Sequence, residues 1–156
     1  MSLFKTSRNV ELSVIYYLET QIKADWTGVS IVKSFINAYK EPLPVVAIRL
    51  TDCDYTRREI GSTTLLTTYT ITIDLFCKSD GQRIDLSDFI IDKLKDGCIY
   101  YDHSQTSGDP ETLTRVANGR LHTMRFVSNN KVDFGEEGVD TYDKFRSFIQ
   151  IQMRKV

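Results

Sequence analysis

Hydrophobic and polar positions recur with two different periods along this chain, and each change of period marks a new element. Val14, Leu18 and Ile22 recur every four residues between polar side chains, and Ile15 joins the same stripe. This spacing predicts an amphipathic helix over residues 10–24 whose apolar side covers a sheet.

A second helix is predicted where the chain reads DGQRIDLSDFIIDKLKDG. Asp80 is the expected N-cap, and Gly97 suits the position just after the last turn. Asp85, Asp88 and Asp92 make one side of this helix acidic, as a solvated face or a subunit contact would be. The apolar side chains expected to face the core are Ile84, Phe89, Ile91 and Leu94, with Leu86 and Ile90 at the edges of the stripe.

The clearest strand pattern lies in TYTITIDLFC, where apolar and polar side chains alternate one by one. One face carries Tyr69, Ile71, Ile73, Leu75 and Cys77, and the other carries Thr68, Thr70, Thr72 and Asp74. The alternation predicts an antiparallel strand over residues 65–77 with one face on a core. β-Favouring composition predicts further strands over residues 29–38, 45–52, 98–101, 120–128 and 144–154.

The predicted order is helix, three strands, helix, three strands, which is typical of an α+β fold. We therefore expect an antiparallel-dominated mixed β-sheet with the two main helices packed on one face, plus extended loops and a hairpin. The strands at 45–52 and 65–77 form that hairpin, with its tip at residues 57–62. A chain of 156 residues has the size of one core, so a single domain over residues 1–156 is expected.

Composition narrows the function classes without selecting one. The net charge of −1 argues against a dedicated nucleic-acid binder, which would carry a basic excess. No apolar run approaches the ~20 residues of a membrane-spanning helix, and no signal peptide is recognisable. Three scattered cysteines, Cys53, Cys77 and Cys98, argue against a disulfide framework and suit a reducing compartment.

The sequence contains no recognisable catalytic, cofactor-binding or metal-binding motif. Its two histidines, His103 and His122, are interpreted as surface or sheet-face side chains rather than general bases. No cysteine pair has metal-ligand spacing, and no glycine-rich phosphate loop or serine nucleophile motif occurs. We therefore expect no enzyme activity, no cofactor and no metal.

Three polar connections are predicted, at residues 52–64, 104–119 and 132–143, which is more projecting structure than a small monomer needs. The strands between them have polar faces that suit a neighbouring subunit or an aqueous lumen, although a plain solvent-facing sheet explains them equally well. These faces are made by Thr63, Thr64, Thr67, Thr68, Thr70, Thr72, Gln150 and Gln152.

The whole chain resembles bacteriophage tail terminator proteins, also called tail-completion or neck proteins. The resemblance rests on length, on the order of elements, and on the residue pattern of four segments, VVAIRLTD, RREIGS, TYTITIDLF and DGQRIDLSDFIIDKLKDG. It implies a structural protein that forms a ring, typically a hexamer, on the end of a finished tail tube. Such a ring stops tube polymerisation and presents a surface to the head-side connector, while DNA passes through it without specific binding. The expected location is the virion tail or neck, assembled in the host cytoplasm, with no membrane contact.

Within that resemblance, the charge contrast between two loops gives a concrete hypothesis for the subunit or partner contact. Arg57 and Arg58, next to Glu59, make one loop basic, whereas Glu136 and Glu137 make another acidic. These five residues are the candidate contact residues.

Three alternatives remain open at the level of sequence. One is another head–tail neck component, which differs in partner and ring number. The second is a small enzyme or ligand-binding module with a pocket around Cys98, Asp102 and His103. The third is a DNA-binding accessory protein, whose affinity for duplex DNA would fall steeply with salt.

Overall fold

The computed structural model describes residues 5–33, 35–105, 113–132 and 144–156. Six strands form one mixed sheet in the order β1-β2-β3-β6-β5-β4, with only β1 and β2 parallel. The sheet curls into a half-barrel, and the fold is α+β as predicted. In chain order the elements are α1 (Thr6–Asp25), β1 (Ser30–Val32), α2 (Phe35–Ala38), β2 (Val45–Arg57), β3 (Leu65–Phe76), α3 (Asp80–Leu94), β4 (Cys98–Gln105), β5 (Leu113–Val132) and β6 (Arg146–Lys155).

The main core lies inside the curl, between the sheet and the two long helices, α1 and α3. The alternation predicted for β3 is confirmed, because its predicted apolar face is buried in this core. The buried side chains come from α1 (Val10, Val14, Leu18, Ile22), β3 (Tyr69, Ile71, Ile73, Leu75), α3 (Leu86, Ile90, Leu94) and β6 (Ile149, Ile151, Met153).

A smaller cluster covers one end of the other sheet face. The short helix α2 places Ala38 against Val45, Ala47 and Phe76, so β2 is buried on both faces at its start. The long α1 and α3 nevertheless share the opposite face, as expected.

Helix α1 closes the half-barrel by pairing with the backbone of a strand on each side. On one side, Ser13 Oγ accepts a hydrogen bond from Tyr101 N at 2.9 Å, and Asn9 Oδ1 accepts one from His103 N at 3.2 Å. On the other side, a carboxylate oxygen of Glu11 accepts a hydrogen bond from Leu50 N of β2 at 2.8 Å. The outer edge of β4, and the outer edge of β2 beyond its pairing with β1, are therefore occupied by side chains of a helix instead of by further strands.

Three strand boundaries differ from the predictions. The stretch 29–38 is not one strand: β1 covers only Ser30–Val32, and α2 follows. Short apolar runs fit either structure, and only three residues find a partner in β2. The polar connection predicted over 104–119 is also wrong at both ends, because β4 continues to Gln105 and β5 already begins at Leu113. Strand β2 likewise continues to Arg57, so the polar connection predicted from residue 52 is shorter.

Helix α3 is rotated relative to the prediction. Leu86 and Ile90, predicted at the edge of the stripe, are fully buried, whereas Ile84 is 45% exposed. The N-cap is Ser79, whose hydroxyl accepts a hydrogen bond from Gln82 N, rather than Asp80. Gly97 follows the helix with φ +79°, as predicted for its position.

Candidate assembly surfaces

Strands β2 and β3 extend together beyond the rest of the sheet. The β3–β6 pairing begins only at Tyr69, and β1 pairs with β2 no further than Ala47. Residues 54–68 therefore form a two-stranded ribbon to which no further strand is paired among the described residues, although Arg154 Nε of β6 donates a hydrogen bond to Thr68 Oγ1 at its base at 3.1 Å; we call this ribbon the arm. Its paired positions run from Asp54 opposite Thr68 to Arg57 opposite Leu65.

The tip of the arm is held by its own hydrogen bonds. Arg58 N donates to Thr64 O at 3.1 Å, and Ser62 N donates to Glu59 O at 3.1 Å. The guanidinium of Arg57 donates to Ser62 O at 2.7 Å, so this side chain folds over the turn. The tip is therefore a defined surface.

The arm presents apolar and basic side chains to solvent. Ile60 is fully exposed at the tip, and Tyr55 and Leu65 are 50% and 38% exposed. Tyr55 and Arg57 are two residues apart, and Leu65 is paired with Arg57, so all three lie on one face of the ribbon. Arg58 adds a second exposed cation.

The structure thus brings three of the five predicted contact residues together at the end of the arm. Arg57, Arg58 and Glu59 are all exposed there. Glu136 and Glu137 lie outside the described residues, so their predicted pairing with the arginines stays a prediction. Sequence reasoning did not single out Ile60, although an isoleucine between a glutamate and a glycine in a hairpin tip was a usable signal.

The outer side of α3 is the second surface with a distinctive chemistry. Asp85 and Asp88 are exposed and make no ion pair among the described residues, whereas Asp92 pairs with Lys95 at 2.9 Å. The Lys95 ammonium lowers the pKa of the Asp92 carboxyl by a hydrogen bond and by its charge. The exposed Ile84 lies directly beside the two unpaired aspartates and makes this side apolar as well as acidic.

The polar face of the sheet carries a buried ion pair. Asp74 and Arg146 lie on β3 and β6 with 3.1 Å between Oδ1 and Nη2, and the Asp74 side chain is only 6% exposed. Around them the predicted threonine and glutamine side chains are half-buried, with Thr72 almost fully buried. Thr63 and Thr64 of the predicted polar face, near the tip of the arm, are exposed.

A cleft of about 560 Å³ lies where α1 diverges from the start of β4. Tyr16, Tyr17 and Tyr101 line it together with Arg120 and the end of α3. Tyr17 Oη donates a hydrogen bond to Lys93 O at 2.8 Å, and burial raises the pKa of this phenol. The predicted ligand pocket is only partly reproduced, because Cys98 lines this cleft whereas Asp102 and His103 do not.

The two histidines lie on strands of the sheet, and Cys77 lies in the main core. His122 is an exposed sheet-face side chain as predicted, and His103 is a sheet-face side chain of β4 that is buried, with 5% of it exposed beneath α1. Burial and, next, the nearby Arg115 lower the pKa of the His103 imidazole. Cys77 is buried as predicted, and no group of metal-binding side chains occurs in the described part of the chain.

No helix in the described ranges combines the length and the apolar character needed to cross a membrane. A scan against protein-family models found no family that matches this chain. A search of curated proteins likewise returned no significant match.

Proposed function

We propose that this chain is a structural protein of a bacteriophage tail, a tail terminator that assembles into a ring on the end of the tail tube. The observation that carries the proposal is the arm. A ribbon that extends past its own sheet and exposes Ile60, Tyr55 and two arginines is suited to contact another protein.

The mechanism of such a protein is geometric. Each copy contacts the next through two different surfaces, and a ring closes when the rotation between copies divides a full turn, six copies being favoured here. The closed ring occupies the end of the tube, stops further addition of tube subunits, and offers its other side to the head-side connector. A net charge of −1 suits a lumen through which DNA passes without being retained.

The proposal is tested by solution mass and by tube length. Light scattering after size exclusion, over a range of concentrations, is expected to show a discrete ring-sized species. Added to a polymerising tail-tube protein, the chain is expected to shorten the tubes and to appear as a cap at one end in electron micrographs. A chain that stays monomeric and leaves tube length unchanged would contradict the proposal.

Another neck component is the alternative within the same class, and the arm supports it equally. The two are separated by the partner: a terminator binds the tube end in the absence of heads, whereas a connector component binds the head-side ring in the absence of tails. Mixing the chain separately with tailless heads and with headless tails, then sedimenting the particles, distinguishes them.

A ligand-binding module is the candidate from a different class, and the cleft is the observation that favours it. Its volume lies in the range of small-molecule sites, and three tyrosines with Arg120 supply both apolar and polar contacts. A thermal-shift screen of small aromatic acids tests it. Stabilisation that disappears in an Arg120→Ala variant would support this function, and the absence of any stabilising compound would leave the assembly proposal as the better explanation.

A further inference from the structure

The arm is a structural element that needs a partner. An isolated two-stranded ribbon is only marginally stable in water, because half of its backbone hydrogen-bonding groups and most of its side chains face solvent. Here the outer edges of both strands lack a neighbouring strand among the described residues. Tyr55, Ile60 and Leu65 expose apolar surface to water, which is unfavourable, and a partner would bury it.

The outer side of α3 has the complementary chemistry. It combines one exposed apolar side chain, Ile84, with two exposed carboxylates, Asp85 and Asp88; we call these three residues the α3 patch. The arm combines exposed apolar side chains with Arg57 and Arg58, whose two positive charges exceed the single negative charge of the neighbouring Glu59 at the tip. Apolar area therefore matches apolar area, and unpaired negative charge matches positive charge.

The two surfaces lie too far apart to meet within one molecule. Strand β3 rises by about 3.3 Å per residue, so Leu65 at the base of the tip and Leu75 are separated by roughly 33 Å. Helix α3 begins beyond the Leu75 end, where Asp80 contacts Lys131 at 3.5 Å and Lys131 is paired with Ser147, the β6 neighbour of Leu75. The α3 patch lies in the first two turns or so after Asp80, in the half of α3 nearest this end of the sheet, which is opposite to the arm.

We infer that the arm of one copy docks on the α3 patch of a second copy. Because the two surfaces differ and lie at opposite ends, the contact is head-to-tail, and its repetition gives a ring or a filament. The inference rests on the proposed function in taking the partner to be another copy of this chain. It replaces the acidic loop containing Glu136 and Glu137 by α3 as the acceptor of the arginines.

Two charge-reversed variants that complement each other test this contact. Arg57→Glu/Arg58→Glu reverses the arm, and Asp85→Lys/Asp88→Lys reverses the patch. Each variant alone places like charges across the contact, so its association is expected to weaken at least about tenfold relative to wild type. An equimolar mixture restores opposite charges at every contact, and it is expected to regain the mass of the wild-type assembly.

The matched control is Glu19→Lys/Asp96→Lys, which reverses two acidic side chains that belong to neither surface, one on α1 and one just beyond the far end of α3. It is expected to assemble like wild type. Since Arg57 also holds the tip through Ser62, circular dichroism and thermal unfolding of every variant check that the fold persists. An Ile60→Ser variant tests the apolar part of the contact without changing charge, and it is expected to weaken association as well.

The outcomes separate this inference from the proposed function. If either charge-reversed variant assembles alone with wild-type affinity, or if the mixture fails to reassemble, the arm–patch contact is wrong even when the wild-type ring caps tubes. A wild-type chain that stays monomeric at all concentrations overturns the contact, and if it also leaves tubes uncapped, the proposed function fails with it.

Discussion

Gly97 joins α3 to β4 with φ +79°, a conformation that glycine adopts without strain. A Cβ at this position would overlap the backbone oxygen of Leu121 on the neighbouring strand. Gly97→Ala is therefore expected to lower the free energy of unfolding by about 3–5 kcal/mol, through backbone strain and the clash together. Urea denaturation of the wild type and of the Gly97→Ala variant measures this difference in the free energy of unfolding.

Gly81 provides the control for this prediction. It lies in the first turn of α3, and no atom lies within 4 Å of an added Cβ. Gly81→Ala is expected to leave stability unchanged or to raise it by up to about 1 kcal/mol, because alanine favours the helix. Equal losses at both glycines would contradict the steric explanation.

The buried pair of Asp74 and Arg146 should be sensitive to loss of either partner. Arg146→Met leaves the nearly buried Asp74 carboxylate without its cation, and a cost of about 3 kcal/mol is expected. Lys23→Met is the matched control, since it removes an exposed pair with Glu19 and is expected to cost less than about 1 kcal/mol. Denaturation of both variants at pH 7 makes the comparison, and similar costs would show that burial is not the deciding factor.

The three cysteines should differ in reactivity and in their response to pH. Burial raises the pKa of Cys77 to about 11 and of Cys98 to about 12, whereas Cys53 is half-buried. A disulfide reagent at pH 8 is therefore expected to label Cys53 much faster than the other two. Rapid labelling of all three in the native state would contradict this.

The same pKa shifts give stability a defined pH dependence. The folded state keeps both buried thiols protonated, while the unfolded chain loses these protons above about pH 8.5. The unfolded state then binds fewer protons, so the stability contributed by each thiol is intact below that pH and falls by about 3 kcal/mol as pH rises toward 11. A Cys77→Ala/Cys98→Ala variant is expected to show a shallower decline between pH 9 and 11.

At the scale of elements, the arm should be separable from the folded core. Its residues are mostly exposed and lie beyond the last β3–β6 pair. Removing residues 54–68 and joining Cys53 to Tyr69 through Asn-Gly, a sequence suited to a two-residue hairpin turn, is expected to change the free energy of unfolding by less than about 1 kcal/mol. The shortened chain should remain cooperative in urea but lose self-association, and loss of cooperative unfolding would show that the arm is part of the core.

Elements with strict periodicity were predictable, and those set by tertiary contacts were not. Strand β3 alternates strictly from Thr68 to Leu75, so its buried face followed from the sequence. The apolar run containing β1 and α2 has no single period, and the position of β2 decides where the strand ends. The rotation of α3, which exposes Ile84, depends on how the helix meets β3 and β6, and local spacing does not contain that information.

The candidate surfaces were likewise predictable from the sequence only in part. The arginines of the arm could be identified from the sequence as candidate contact residues, because they lie at the tip of a predicted hairpin. The α3 patch was predictable only in part: the aspartates were recognised, but the exposed apolar side chain beside them, Ile84, was assigned to the core. The distance between arm and patch follows from topology, since it requires knowing that α3 begins at the far end of β3.

At the scale of the whole molecule, assembly through opposite charges should depend on ionic strength. Screening shortens the range of charge interactions from roughly 10 Å at 0.1 M salt to 3 Å at 1 M. Raising sodium chloride from 0.05 to 0.5 M is therefore expected to shift the assembly toward monomers, measured by sedimentation velocity. The Ile60→Ser variant should dissociate at lower salt than wild type, and salt-independent assembly would point to a contact made by apolar groups alone.

Helix α1 has a further consequence for how the chain is made. It precedes every strand in the sequence, and its Asn9, Glu11 and Ser13 are the groups that occupy the edges of β4 and β2. During synthesis, the side chains that occupy these edges therefore emerge before the strands that require them. A growing chain can therefore cover each strand edge as soon as that edge forms. Neighbouring nascent copies on one messenger RNA then have less opportunity to pair through exposed strand edges. Association is left to the arm and the α3 patch of the folded copies.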